Sequence, residues 1–386
     1  MPEFSDHSLR WSRQLRLPQI GAEGQAKLAR AKVGIVGVGG LGSPAALYLA
    51  AAGVGTLGLI DDDEITLSNI QRQVLFGEAD IGRGKVEVAA ARLGAMNKEL
   101  EVKSHVMRLT APNACTLLAD YDIVIDGSDN FPTRYAVNDA CVLLSKPNVY
   151  GSVLQFEGRA SLFVPGRGPC YRCLYPEPPP PGAVPSCEEA GVLGFLPGVI
   201  GNIQAAEVVK WICGIGDPLV GRLLVVDMLA MAFQEFAIPR NPKCALCGDS
   251  PTITKPVAYT DTCAVATWDV LPGDDYDLPD RISPRVAWRR LQAGEKLFLL
   301  DVREPAEFTM ASLPESSLIP LGELMRRCEA ELGHRRDDEI IVICHHGIRS
   351  AMAAGWLRRQ GFNRVKNLDG GIDRWARQAD RSLPRY

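Results

Sequence analysis

The stretch "KVGIVGVGGLGSPAALYLAAAG", residues 32–53, constrains this chain more than any other part of it. An apolar run ends in "GVGGLG", Gly37 to Gly42, and passes straight into helical spacing. Glycines in that context let the backbone approach a phosphate at a helix N-terminus. Apolar runs and helical stretches then alternate through "TLGLID", "KVEVAAARLGAMN", "EVKSHV" and "DIVIDGSDN", to about Asp129. That alternation predicts an α/β fold, a Rossmann-like, doubly wound parallel sheet. The acids Asp61 to Asp63, about twenty positions on at the end of the second strand, stand where an acid could hold ribose hydroxyls. On these features alone a dinucleotide-dependent oxidoreductase is as good a reading as any.

Other residues shift the balance. "LSNIQRQ", residues 67–73, is followed by Lys85 in "GRGKVEVAAARL" and by "DGSDN", residues 126–130. Hydride transfer has no use for two cations, an amide and a carboxylate around a nucleotide loop. Displacement at a phosphate does: Arg and Lys hold the triphosphate and a carboxylate holds magnesium. The plain alternative is that Arg72 and Lys85 are solvated charges and Asp129 caps a turn.

With "RWSRQLRLPQIG", "GVGGLGSP", "DDDEITLSNIQRQ", "GKVE", "DGSDN" and "PCYRC" in order, residues 5–248 resemble the molybdopterin-synthase and thiamine-pathway adenylyltransferases, bacterial relatives of ubiquitin-activating enzymes. The resemblance implies ATP binding by Gly39, Gly40, Asp61, Ser68, Asn69, Arg72, Lys85, Asp129 and Asn130, with magnesium on Asp129. It also implies that Arg13 reaches into a partner subunit's ATP site, and hence a homodimer.

Cys170 and Cys173 in "PCYRC" and Cys244 and Cys247 in "PKCALCG" form two C-x-x-C pairs. Such pairing fits a closed, structural four-thiolate zinc site. A redox pair is the competing reading, but it needs only one C-x-x-C, usually at the start of a helix. Cys187 follows the proline-rich "YPEPPPPGAVPS", which reads as an exposed loop. A lone cysteine is more often a small buried hydrophobe than a nucleophile. The resemblance places Cys187 at the family's crossover-loop cysteine, which is proposed to take an activated acyl group.

Residues 249–280 lack sustained periodicity and read as a linker between an adenylyltransferase domain, 1–248, and a small α/β domain, 281–386. In the latter, "EIIVI" delivers Cys344, "HHGIR" follows, and Ser350 opens an alanine-rich helix. Converging backbone N–H groups, a helix dipole and Arg349 favour a thiolate and an added terminal sulfur anion. A phosphatase uses a similar cysteine-to-arginine loop, together with a general-acid aspartate. "LLDVREPAEF", "CHHGIRS" and "NLDGGIDRW" resemble the rhodanese sulfurtransferases. That resemblance implies Cys344 as the persulfide-bearing nucleophile and Arg349 as its anion partner, with Asp301 and Arg303 shaping the pocket. His345 and His346 are adjacent in a loop and poorly placed to converge on one metal ion.

Together the two units predict ATP-dependent adenylation of the C-terminal glycine of a ubiquitin-like sulfur carrier ending in Gly-Gly. Transfer of sulfur from the Cys344 persulfide then gives a carrier thiocarboxylate. The expected cofactors are ATP, Mg2+ and Zn2+, and the expected sulfur donor is a persulfide or thiosulfate. A net charge of −4 over 386 residues offers no basic field for nucleic acid. The glycine-broken stretch Ala45 to Ile60 is short for a membrane span. The first residues lack the basic start and apolar core of a secretory signal, so a cytoplasmic protein is expected.

Overall fold

The computed structural model describes residues 9–179, 190–259, 277, 280–345 and 347–384. Cys187 and His346 lie outside the described residues. The chain divides into two compact units, the first ending at Thr260 and the second running from Asp261 to the C-terminus.

The first unit is built on an eight-stranded sheet of order β3-β2-β1-β4-β5-β6-β7-β8. β1 (Lys32–Val36), β2 (Thr56–Ile60), β3 (Glu101–His105), β4 (Ile123–Asp126) and β5 (Asn148–Leu154) run parallel. β2 and β4 are buried along their whole length, as strands covered on both faces must be. The helix Gly42–Ala52 buries Ala45, Ala46, Leu49 and Ala50. Its small residues allow a close approach to the apolar helix Leu196–Cys213.

The alternation of strand and helix does not continue past β5. β6 (Glu157–Phe163), β7 (Arg222–Asp227) and β8 (Ala232–Ala237) are antiparallel. The reversal is local: Gln155 takes a left-handed φ of 52° in the tight turn between β5 and β6, and a hairpin needs no crossover helix.

The second unit holds a five-stranded, fully parallel sheet of order β11-β10-β12-β13-β9. These strands are β9 (Arg281–Ile282), β10 (Phe298–Asp301), β11 (Ser317–Leu318), β12 (Glu339–Ile343) and β13 (Arg364–Leu368). β12 is central and buried throughout. Ile340 and Val342 face one apolar cluster while Ile341 and Ile343 face another, as period-two alternation requires.

The stretch 249–259, which reads as the start of a linker, is fastened to the first unit. Thr252 and Ile253 donate to the Ala245 carbonyl, Val257 N–H donates to Asp139, and Arg172 donates to the Tyr259 hydroxyl at 2.9 Å. Among the described residues no helix is long and apolar enough to cross a membrane.

Candidate active sites

The glycine turn after β1 owes its shape to crowding. Gly37 has a φ of +84°, and a Cβ on Gly42 would lie 2.0 Å from the Gly37 carbonyl oxygen. Only glycine fits a turn that folds so tightly on itself. Asp61, at the end of β2, accepts from Val38 N–H at 2.7 Å and from Asp63 N–H at 2.9 Å, tying the turn to the next strand. Burial raises the Asp61 carboxyl above its ordinary value, and the Lys85 charge opposes that rise.

Lys85 begins the helix Lys85–Met96 and is buried, with its ammonium 2.7 Å from Asp63. Asp63 is itself half exposed, so the carboxylate can be exchanged for another anion without stranding the lysine in an apolar site. Arg72 Nη1 donates to the Ser68 carbonyl at 2.8 Å, and its Cγ lies 3.6 Å from where a Gly40 Cβ would stand. Asn69 closes the short turn Leu67–Asn69, with Thr66 N–H approaching its Oδ1 at 3.4 Å. Asn130 caps the helix Phe131–Leu143 by accepting from Thr133 N–H at 2.9 Å, and Asp129 beside it is exposed. Arg13 is also exposed, on the helical turn Ser12–Leu15, next to a buried Trp11 whose indole donates to Ala51.

Sequence reasoning missed the support under the Asp129 loop. Asp126, fully buried at the end of β4, accepts from Ser128 Oγ at 2.5 Å and Ser128 N–H at 3.0 Å. Arg134 donates to the Ser128 carbonyl at 2.8 Å and lies over the Tyr150 ring at 5.3 Å. Gln204 donates to the Asp126 carbonyl at 2.8 Å. Burial raises the Asp126 carboxyl, and Arg134 holds it down. The signal was present in "DGSDNFPTR", where a carboxylate at a strand end precedes an arginine on the following helix, but both read equally well as surface charges. Asp63 is singled out by sequence only as one of the acids Asp61 to Asp63 suited to ribose hydroxyls, and its pairing with Lys85 is visible only in the structure.

Cys170, Cys173, Cys244 and Cys247 bring their sulfurs within 4.8 Å of one another. Cys170 and Cys244 are 3.7 Å apart and Cys173 and Cys247 3.3 Å, and all four are free thiols. Four thiolates around zinc stand about 3.8 Å apart, so the donor set and its spacing fit that ion. Leu246, Val142 and Ile253 surround the cluster, leaving an apolar, closed corner. Hydrogen bonds from the Cys170 and Cys247 thiols hold the Cys173 thiol well below its ordinary value. Arg172, between the first two cysteines, forks onto buried Asp139 at 2.7 and 2.8 Å.

In the second unit Cys344 follows β12 and is fully buried. Its Sγ receives Gly347 N–H at 3.1 Å and lies 3.2 Å from Ser350 Oγ, which in turn is 2.6 Å from Asn367 Oδ1 on β13. The loop is pinned from outside: Ile372 N–H donates to the Cys344 carbonyl at 2.9 Å and Asp373 N–H to the His345 carbonyl at 3.1 Å. That approach requires glycine, because a Cβ on Gly371 would lie 2.3 Å from both carbonyl oxygens. Asp301 and Arg303 form a fully buried pair at 2.6 Å, and Arg303 also donates to the Ala311 carbonyl. They brace the helix Pro305–Met310 against the sheet. Arg349 forks onto Glu307 of that helix, with Nη1–Oε2 2.7 Å and Nη2–Oε1 2.6 Å. The rhodanese resemblance implies Arg349 as an anion partner of Cys344; in the structure its guanidinium pairs with Glu307, a residue that the sequence reading does not single out.

Residues 11–246 match the ThiF family and residues 283–378 the rhodanese-like domain, so the chain belongs to the ThiF family and carries a C-terminal rhodanese-like domain. It is similar to the probable adenylyltransferase/sulfurtransferase MoeZ of Mycobacterium tuberculosis, at 42% identity over 381 residues, spanning 98% of this chain and 95% of that protein. The adenylyltransferase and sulfurtransferase MOCS3 of Drosophila yakuba is 43% identical over 389 residues, spanning 99% of this chain and 86% of that one. Among solved structures, E. coli MccB with MccA-N7isoASN matches with a TM-score of 0.57 at 28% identity, covering 62% of this chain and 74% of that one. E. coli MccB with ATP matches with a TM-score of 0.51 at 28% identity, covering 58% and 68%. The nucleotide end is therefore an adenylation unit, and the dinucleotide-dependent oxidoreductase reading falls away.

Proposed function

We propose that this enzyme adenylates the C-terminal glycine of a ubiquitin-like sulfur carrier ending in Gly-Gly and then replaces the adenylate with sulfur carried on Cys344. The observation that carries this reading is the pairing, in one chain, of a buried lysine and an arginine stem at a glycine turn with a buried cysteine whose sulfur receives the Gly347 N–H. The relatives named for both activities span nearly the whole chain.

In the first step a carrier carboxylate oxygen attacks the α-phosphorus of ATP, pyrophosphate leaves, and an acyl adenylate forms. Gly39 and Gly40 admit the phosphates close to the backbone. Asp61 orients the turn and receives ribose hydroxyls. Ser68 and Asn69 shape the short turn that carries Arg72, while Lys85 exchanges Asp63 for the phosphates whose charge it and Arg72 offset. Asn130 fixes the loop that presents Asp129. Asp129 would hold magnesium, which when bound would neutralise the pyrophosphate leaving group. Arg13 completes the site of a second copy in a homodimer. Cys170, Cys173, Cys244 and Cys247 would hold zinc, which would serve as a structural corner.

In the second step the terminal sulfur of the Cys344 persulfide attacks the acyl carbon and AMP departs, leaving carrier–CO–S–S–Cys344. A second thiol then cleaves that S–S bond and frees the thiocarboxylate. Cys187 takes this part, and a thiol reductant resets the resulting disulfide. A cytoplasmic setting, which keeps thiols reduced, suits that chemistry.

The adenylation half is tested by carrier-dependent exchange of labelled pyrophosphate into ATP. Exchange that needs the carrier's terminal glycine and magnesium supports the reading. No exchange with a folded protein and a panel of Gly-Gly carriers overturns it.

A further inference from the structure

Among the described residues, the arginines around the loop that seats Cys344 are each paired with a carboxylate. Arg349, on the first turn of the helix Ile348–Arg359, is bound in a two-point fork by Glu307, and both side chains are largely buried. The helix Gly371–Gln378, strapped across the loop backbone, carries Arg374 and Arg377. Arg374 pairs with Asp369 at 2.8 Å and Arg377 with Asp373 at 2.7 Å. Glu307 is in turn fixed: its Oε2 accepts from Glu304 N–H at 2.9 Å, and the buried Arg303 holds the same helix. Among the described residues, the groups seen on the sulfur itself are neutral, the Gly347 N–H and the Ser350 hydroxyl.

We propose that Glu307 is a specificity-determining residue which, by holding Arg349 in a neutral pair beside the Cys344 loop, selects sulfur donors of low charge over dianionic ones. The inference rests on Cys344 being the persulfide carrier. Glu307 touches no reacting atom and acts through Arg349. A dianion such as thiosulfate finds no net positive charge in the matched Glu307–Arg349 pair to compensate its own. A monoanionic thiosulfonate, or an alkyl persulfide, needs half that compensation or less. The chemistry is otherwise the same for each donor: the Cys344 thiolate attacks the outer sulfur, the donor's S–S bond breaks, and its electron pair leaves with the departing group. That group is sulfite from thiosulfate, a sulfinate from a thiosulfonate and a thiolate from an alkyl persulfide. The negative charge of the nucleophile ends on the new terminal sulfur. One unit of charge at several ångströms in a partly solvated site changes binding by about five-fold.

The test compares thiosulfate with methanethiosulfonate as donors to the full-length protein, reading Cys344 persulfide by intact mass and steady-state transfer to cyanide. The wild type is expected to favour methanethiosulfonate in kcat/KM by about five-fold or more. Glu307→Gln keeps the side-chain shape and one acceptor. It should lower KM for thiosulfate by about five-fold with kcat little changed, while methanethiosulfonate shifts by less than about two-fold. A loss of kcat for both donors alike would mean that Glu307 only holds the loop together, and would overturn the proposal. The wild-type donor ratio needs no variant, so it judges the proposal even if Glu307→Gln misfolds: preference for thiosulfate overturns it. Loading of neither donor onto Cys344 would bring down the persulfide reading itself. Loading of both without discrimination by charge would bring down only the role of Glu307.

Discussion

Both units place a tight loop between a buried parallel strand and a helix, yet the two loops solve opposite problems. The Gly37–Gly42 turn contributes no reactive side chain. On the proposed reading its chemistry comes from later in the chain: Asp61 and Asp63 after β2, Arg72 and Lys85 beyond them, and Asp129 after β4. The loop after β12 holds Cys344, the proposed nucleophile, and among the described residues Arg349 beside it is paired with Glu307. A site that must grip a highly charged substrate keeps a lysine against a half-exposed carboxylate that can give way. A site that must hold one polarisable sulfur buries the atom and relies on a backbone N–H and a hydroxyl.

The contrast breaks most sharply at Cys344. Cys344→Ser should abolish persulfide formation, by at least about 10³-fold, because a hydroxyl neither ionises near neutral pH nor accepts sulfane sulfur. Carrier-dependent pyrophosphate exchange should persist at the wild-type rate. Loss of both activities in a folded protein would mean the two loops are not independent.

The converse comes from the first loop. Asp129→Ala should reduce pyrophosphate exchange by about 10²-fold, since one electrostatic contact to the leaving group is lost, and should leave sulfur transfer to cyanide untouched. Equal rates of exchange in the variant and the wild type would remove Asp129 from the nucleotide site.

The strapping glycine offers a structural cut. Gly371→Ala puts a methyl group against two carbonyl oxygens at a left-handed φ of 58°, and should destabilise the second unit by about 2–4 kcal/mol. Calorimetry should show the second unit's transition falling and the first unit's unchanged. A unit that tolerated the change would show that the close pinning of the Cys344 loop is unnecessary.

The smallest effect concerns pH. Arg290, reinforced by Lys366, holds the Glu339 carboxyl at about 2, below its ordinary 4.5. A carboxyl lowered in the folded state stabilises fully above the ordinary value, and that contribution is lost as pH falls from 4.5 toward 2. Urea melts of the second unit should therefore weaken across that window in the wild type and less so in Glu339→Gln. Parallel pH profiles would place Glu339 outside the stabilising network.

The features visible in the sequence are those written in consecutive residues. The strand, glycine turn and helix at 32–53, the two C-x-x-C pairs, and the strand delivering Cys344 all fall within short windows where periodicity and spacing suffice. The features that escaped are made in three dimensions. Glu307 and Arg349 are 42 residues apart and meet only because parallel β10 and β12 set their helices side by side. The Asp126–Arg134 contact looks like two exposed charges until the burial of β4 is known. The antiparallel β6 to β8 depend on a hairpin at Gln155, a residue with no strong turn signature. The fastening of 249–259 depends on Arg172, whose sequence context drew attention to its cysteine neighbours instead.

The central claim is that one chain activates a carrier carboxylate and then exchanges its oxygen for sulfur from Cys344. Intact-mass analysis of a Gly-Gly carrier after incubation with the enzyme, ATP, magnesium, a sulfane sulfur donor and a thiol reductant tests this most directly. The account predicts a carrier that has gained one sulfur in place of one oxygen, dependent on ATP and absent with Cys344→Ser. A carrier that stops at the acyl adenylate with wild-type enzyme, or gains sulfur equally well with Cys344→Ser, would contradict it.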